Sequence, residues 1–232
     1  MSSILCLAGS SGSGKSTSIK YMDPSSTFII SCTNKQLQIP GFRKKYQKVK
    51  IEDKKLIGNW FVSNNYEQIE RIMGIISTTR PEIKTVIIDD ANYLLSAETF
   101  QNALVKGYEK FSIMAKNYYD LIDKCQSLRD DILVVFISHI DNGGTETEPQ
   151  YKLWTTGKML TNQINLDGLF SYIIYAERIV DNISGEVKYV FRTQTNGNDT
   201  CRSVQGCFAD KYIEPNLMLV VDTINKFEGG DD

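Results

Sequence analysis

The sequence holds a single histidine, His139, in 232 residues. Its five cysteines, Cys6, Cys32, Cys125, Cys201 and Cys207, are odd in number and form no Cys-x-x-Cys pair. This leaves little basis for a Cys/His zinc site or a disulfide framework, and suggests reduced thiols in a cytoplasmic protein. The N-terminus lacks the basic region and long apolar core of a signal peptide. The longest clean apolar run, Ile132 to Ile137, is far too short to span a bilayer, so no membrane partner is expected. Net charge is −2, which leaves any nucleic-acid contact to a local patch.

What is present is an ordinary globular balance, 41% hydrophobic and 23% charged, in a chain long enough for one α/β domain. Ile4 to Ala8 reads as a strand and Lys15 to Met22 as the first helix. Asp23 to Ser26 is a turn, and Thr27 to Cys32 a second strand. A basic, irregular stretch then runs from Arg43 to Lys55: either a nucleic-acid patch or a solvated face. Trp60 to Val62 is a brief strand, and Ile69, Ile72, Met73, Ile75 and Ile76 recur at helical spacing. Thr85 to Asp90 and Ile132 to Ser138 read as buried strands. Between them, Phe100, Leu104, Tyr108, Phe111, Met114, Tyr118, Leu121 and Cys125 predict one long helix with a core-facing stripe. Lys158 to Leu169 is a possible helix, "FSYIIYAERIV" to "VKYVFRTQT" a β-hairpin, and Leu217 to Phe227 a closing helix. The expectation is a single domain over residues 1–227, with a mostly parallel sheet covered by helices and a disordered acidic tail at 228–232.

The stretch "GSSGSGKSTS", Gly9 to Ser18, directly follows the first strand. Its spacing, Gly-x-x-x-x-Gly-Lys-Ser, is that of a phosphate-binding loop. Glycines let the backbone wrap closely around phosphate oxygens, and a following helix aims N–H groups at them. Gly9, Ser10, Ser11, Gly12, Ser13, Gly14, Lys15, Ser16 and Thr17 are therefore the expected nucleotide-binding residues. Lys15 would reach the β- and γ-phosphates, Ser16 would hold Mg²⁺, and Thr17 would lie near the α-phosphate.

Asp89, at the end of "TVIIDD", is the expected second partner of Mg²⁺. Asp90 is open to two readings, a carboxylate of the reaction or the cap of the next helix. His139 ends another strand, where ligands of α/β sheets bind, and is the candidate γ-phosphate sensor. A guanine reader of the form Asn-Lys-x-Asp is missing: Asn34-Lys35-Gln36-Leu37 lacks the aspartate. An arginine-rich kinase lid is missing too, since the loop after Ser138 holds Asp141, Glu146 and Glu148 but no arginine.

With these residues in place, the chain resembles the RecA-type recombinase ATPase core. "NWFVSNNYEQIERIMGIIS" with "IKTVIIDDANYLL" resembles its strand-helix-strand unit carrying the second nucleotide motif. "VVFISHID" resembles its sensor strand, which opens into a DNA-binding loop. "NKQLQIPGFRKKY" and "TTGKML" resemble compact phage-encoded members linked to single-strand annealing. The resemblance implies a three-layer RecA-like fold, ATP and Mg²⁺ as cofactors, single-stranded DNA as partner, and a homo-oligomeric ring or filament. It implies a DNA-facing loop over Asp141 to Leu160, with Lys152, Trp154 and Lys158 as contacts. It also implies that Arg192 or Arg202 reaches a neighbour's phosphates as an arginine finger, an ordinary surface arginine being the other reading of each.

One departure stands out. The family's catalytic glutamate after the second strand has no counterpart, because that region reads Ser31-Cys32-Thr33-Asn34-Lys35. Asp90 takes the role, or Asn34 only positions water, or turnover is slow. The leading expectation is a DNA-dependent ATPase of recombination, annealing or replication. A nucleotide-gated scaffold with little turnover stays open beside it, and a small-molecule phosphotransferase is a third, weaker possibility.

Overall fold

Long apolar runs without polar interruption need cover on both faces, and the centre of the sheet is built from such runs. The computed structural model describes residues 2–52, 55–145, 150–156, 165–181 and 183–229. Six strands run parallel: β1 (Ser3–Gly9), β2 (Thr27–Ser31), β5 (Trp60–Val62), β6 (Thr85–Asp89), β7 (Leu133–Asn142) and β9 (Tyr172–Val180). At one edge β10 (Val187–Arg192) and β11 (Tyr212–Ile213) add antiparallel strands. The order across the sheet is β11-β10-β9-β1-β7-β6-β2-β5, and β8 (Tyr151–Leu153) pairs with the outer end of β7. β3 (Lys50–Glu52) and β4 (Lys55–Ile57) form a separate pair.

The period of two along each strand divides the core. Ile4, Cys6, Ala8, Val86, Ile88, Val134 and Phe136 face one side, with α2 (Tyr66–Thr79), α3 (Asn92–Gln101) and α4 (Glu109–Gln126). Leu5, Leu7, Ile87, Leu133, Val135 and Ile137 face the other. There they meet Ile19, Phe42 of the short α1 (Phe42–Lys45) and α5 (Leu217–Gly229). The fold is α/β, a mostly parallel mixed sheet between helical layers. Among the described residues no helix is long and apolar enough to cross a membrane.

Local chemistry sets the ends of these elements. The side chain of Asn65 caps α2 by accepting from Gln68 N at 3.0 Å, and Arg80-Pro81 closes it. The basic stretch after β2 is anchored by aromatics: Phe42 stacks on Tyr46 and meets Trp60 edge-on.

The structure corrects four expectations. The helix expected from Lys15 to Met22 is a six-residue 3-10 segment, Ser16–Tyr21, cut short before the Asp23-Pro24 turn. The long helix expected between Phe100 and Cys125 is two helices. Gly107 turns left-handed (φ 95°) between them, and Phe100, Leu104 and Tyr108 are exposed instead of lining the core. Of the tail expected at 228–232, Glu228 lies instead in α5 and accepts from Tyr172 Oη at 3.0 Å and from Ser3, while 230–232 lie outside the described residues.

The fourth correction concerns the arginine fingers. Arg192 is 2% exposed and inward-facing. It donates to Glu177 at 2.8 Å, to Asp199 at 2.8 Å and to Gln194 O at 2.7 Å, with Tyr175 under its guanidinium. Arg202 donates to the Phe170 and Asp167 carbonyls. Both tie strands and loops of their own chain together and are spent on that task. The helix expected over Lys158 to Leu169 lies mostly outside the described residues, which resume with a 3-10 segment at Leu166–Leu169.

Removing one partner of a buried ion pair strands the other, at about 3–5 kcal/mol. Arg192→Ala is expected to lose stability in that range in urea titrations, since Asp199 is 1% exposed. An unchanged urea midpoint would show that the pair does not hold these segments together and would restore the finger reading.

Candidate nucleotide site

Parallel pairing in register brings three strand ends side by side. Gly9 of β1 pairs with His139 of β7, and Ile88 of β6 pairs with Phe136. The loop after Gly9 then turns back over this edge. Gly12 (φ 74°) and Gly14 (φ 91°) adopt left-handed backbone that other residues avoid. A Cβ at Gly9 would collide with the Ala176 carbonyl of β9 and stand 2.7 Å from Ser13 Oγ, so only glycine lets the loop start here.

Lys15 is 6% exposed and curls into the loop, donating from Nζ to Gly9 O at 2.7 Å and Ser10 O at 2.8 Å. An ammonium has three donors, so one remains. Burial pushes its pKa down to about 8, against the opposing pull of Asp90 and Asp89. Ser13 is also buried, and its hydroxyl has no partner among the described residues. A buried cation and an orphan hydroxyl inside a wrapped loop fit an anionic, oxygen-rich ligand such as phosphate. The following 3-10 segment is too short to add much helix dipole, so backbone N–H groups and Lys15 carry the attraction.

Ser16 Oγ donates to Asp89 Oδ1 at 2.8 Å, so the two expected Mg²⁺ partners are in contact. Burial, and next the charge of Asp90, push the Asp89 carboxyl up to about 7. Among the described residues there is no cluster of three His, Cys, Asp or Glu side chains around a metal position. One hydroxyl and one carboxylate suit Mg²⁺, which keeps several waters and takes its other ligands from phosphates.

Asp90 is the one non-glycine with positive φ (59°) among the described residues. Such strain costs about 1–3 kcal/mol and concentrates at functional sites. The left-handed turn lifts the chain out of β6 into α3, and Asp90 Oδ1 lies 3.9 Å from His139 Nε2. Burial, and then Lys15, push the His139 pKa down, which keeps the imidazole neutral at pH 7. The backbone of His139 accepts from Trp154 N at 2.9 Å.

These groups surround one cleft of about 520 Å³, lined by residues 11–17 of the loop, Asp89, Asp90, His139, Tyr93 and the Thr33 and Lys35–Gln38 segment. The volume lies within the range of small-ligand sites. Of the expected DNA contacts, Lys152 is exposed on β8 and Trp154 half-buried beside it, whereas Lys158 lies outside the described residues. Asn34 does not line this cleft and faces a neighbouring pocket.

Sequence reasoning missed Lys35, Tyr93, Arg178 and Tyr189. Arg178 Nη1 stands 3.8 Å from where a Gly12 Cβ would be, and Tyr189 Cδ1 3.5 Å from that of Gly14. The two are register partners on β9 and β10. No local motif carries this information: it depends on β9 pairing with β1.

The two shifted groups set opposite proton flows. Asp89 has a raised pKa, so its contribution to stability is complete below the unfolded value of 3.8 and is lost as pH rises through about 7. Lys15 has a lowered pKa, so its contribution is complete above the unfolded value of 10.5 and is lost as pH falls through about 8. Preformed Mg²⁺-triphosphate favours the carboxylate and the ammonium. Its binding is expected to release protons near pH 7, from Asp89, and to take them up above about pH 8, into Lys15. Calorimetry in buffers of different ionisation enthalpy measures this directly. Asp89→Asn should abolish the release and spare the uptake; binding heats independent of buffer would contradict both assignments.

No protein-family model matches the chain, and no curated protein is similar to it in sequence.

Proposed function

We propose that the chain binds ATP with Mg²⁺ and hydrolyses it, and that single-stranded DNA modulates the hydrolysis. The observation that carries the first part is the convergence of Lys15, the Ser16–Asp89 pair and the Asp90–His139 pair on one cleft. Lys15 and the loop N–H groups meet the β- and γ-phosphates, and Arg178 supplies a further cation from the same chain in place of Arg192 or Arg202. Ser16 and Asp89 would hold Mg²⁺, which would supply Lewis-acid neutralisation of phosphate charge.

Asp90 Oδ1 and the Nε2 of neutral His139 stand 3.9 Å apart, and in this reading the attacking water sits against both. His139 orients that water and Asp90 accepts its proton as the oxygen attacks the γ-phosphorus. The bond from phosphorus to the bridging oxygen breaks, leaving ADP and phosphate, and Asp90 returns its proton to solvent. The region after β2 offers Thr33 and Lys35 to the cleft and no carboxylate, which favours a second reading: an assembly held by ATP with slow turnover.

The link to DNA rests on the β7–β8 hairpin. β7 continues past His139 to pair Ile140 with Leu153 and Asp141 with Lys152. Trp154 is hydrogen-bonded to the His139 backbone, so a shift of His139 toward phosphate moves the base-stacking residue directly.

Loss of a general base costs roughly 10²–10⁴ in rate. Asp90→Asn should lower kcat within that range while ATP affinity changes by less than about threefold, and Lys15→Ala should abolish binding. An Asp90→Asn protein with full ATPase activity sinks the base assignment. ATPase rates with and without single-stranded DNA, run beside size-exclusion with and without ATP, separate the readings. Stimulation that Trp154→Ala removes supports the DNA-modulated motor; ATP-dependent assembly with negligible turnover supports the slow scaffold.

A further inference from the structure

A second pocket of about 520 Å³ opens beside the nucleotide cleft and shares Thr33 and Tyr93 with it. It lies between the ends of β2 and β5, the start of α2 and one face of α3. In a chain that is 23% charged, no charged side chain lines it. A phosphate, metal or carboxylate ligand therefore has no counter-charge here. What the wall offers is neutral hydrogen bonding and aromatic surface.

The amides of Asn34 and Asn64 have no hydrogen-bond partner among the described residues. Gln68 Oε1 accepts from Ser63 Oγ at 2.8 Å, which fixes that amide with its NH₂ group left over. Tyr93 and Phe100 lie seven residues apart on α3, hence on one face, and are 43% and 80% exposed. Amides with two donors and a carbonyl match the edge of a heterocycle, and an exposed ring matches its face.

We propose that this pocket binds a nucleobase, stacked on Phe100 or Tyr93 and read at its edge by Asn34, Asn64 and Gln68. The base comes from single-stranded DNA or from a free nucleoside; its chemistry is shared, and the pocket itself does not distinguish the two. The DNA source rests on the function proposed above, whereas the pocket chemistry stands on its own lining. Occupancy reports to the first cleft, because Tyr93 donates its N–H to the carbonyl of the strained Asp90 at 2.9 Å.

The test uses the full chain saturated with Mg²⁺ and a non-hydrolysable ATP analogue, which fills the first cleft. Binding of an oligothymidylate, of an abasic oligonucleotide of equal length, and of the four free nucleosides is measured by anisotropy or saturation-transfer NMR. Loss of one base stack weakens binding by roughly 5- to 150-fold. Phe100→Ala and Asn64→Ala, both at exposed positions, should weaken base-containing ligands within that range and leave the abasic strand unchanged. Weakening of the oligonucleotide alone assigns the base to DNA; weakening of nucleosides assigns it to a small molecule.

Unchanged binding of every base-containing ligand overturns the proposal. So does a loss of ATP affinity without a loss of tripolyphosphate affinity, which would give the pocket to ATP's own base. Dissociation of an oligomer in Phe100→Ala, with ligand binding intact, would make the exposed ring an interface between copies and overturn it as well. ATP binding measured with Lys15→Ala as control keeps the two failures apart: base binding that persists without ATP binding spares this pocket and removes the nucleotide reading.

Discussion

Everything at the site depends on β7 lying between β1 and β6 in parallel register. Gly9 is opposite His139, and Ile88 is opposite Phe136. That alignment puts the loop, the carboxylate of Asp89 and the histidine at one edge. A slip of β7 by one residue would invert its own side chains relative to the sheet. Val134 and Phe136 would exchange faces with Val135 and Ile137 between two different helical layers. The continuous burial of these runs makes such an exchange expensive, so the geometry of the site is held by hydrophobic packing well away from it.

On that frame two charges are held at a desolvation cost. Lys15 and Asp89 are both buried, and neither is bonded to the other. Lys15 is satisfied by loop carbonyls, Asp89 by Ser16. Each is held toward its neutral form by desolvation. On the function proposed above, a polyanion and a divalent cation would supply the opposite charges that Lys15 and Asp89 do not find in each other.

The sequence made legible what is local. Strand, loop, lysine and serine are contiguous, so their shared cleft with Asp89, which ends an apolar strand, could be anticipated from short stretches of sequence. What was lost is non-local or depends on one residue. Arg178 reaches the loop through the β9–β1 pairing, a contact between segments more than 160 residues apart in sequence. Arg192 and Arg202 look like surface cations in one dimension, and their carboxylate and carbonyl partners are assembled only by folding. The apolar stripe from Phe100 to Cys125 keeps helical spacing straight through Gly107, so periodicity hid the break that leaves Phe100 exposed.

That break has a functional side. A helix continued from α3 into α4 would carry Phe100 and Leu104 as part of a core stripe, with their apolar area removed from water. Divided at residues 102–108, the chain leaves Phe100 80% exposed and Leu104 95% exposed while α4 still buries Met114, Tyr118 and Leu121. Exposed apolar surface of this kind is costly unless something covers it. α3 begins two residues after Asp90, which is held in a strained left-handed turn, and ends at this exposed segment. On the proposal above, a base seated in the pocket would contact Tyr93 near the start of α3 and Phe100 near its end. On the proposal above, the exposure of Phe100 would serve ligand contact, and the strained Asp90 stands three residues before Tyr93 of the same pocket wall.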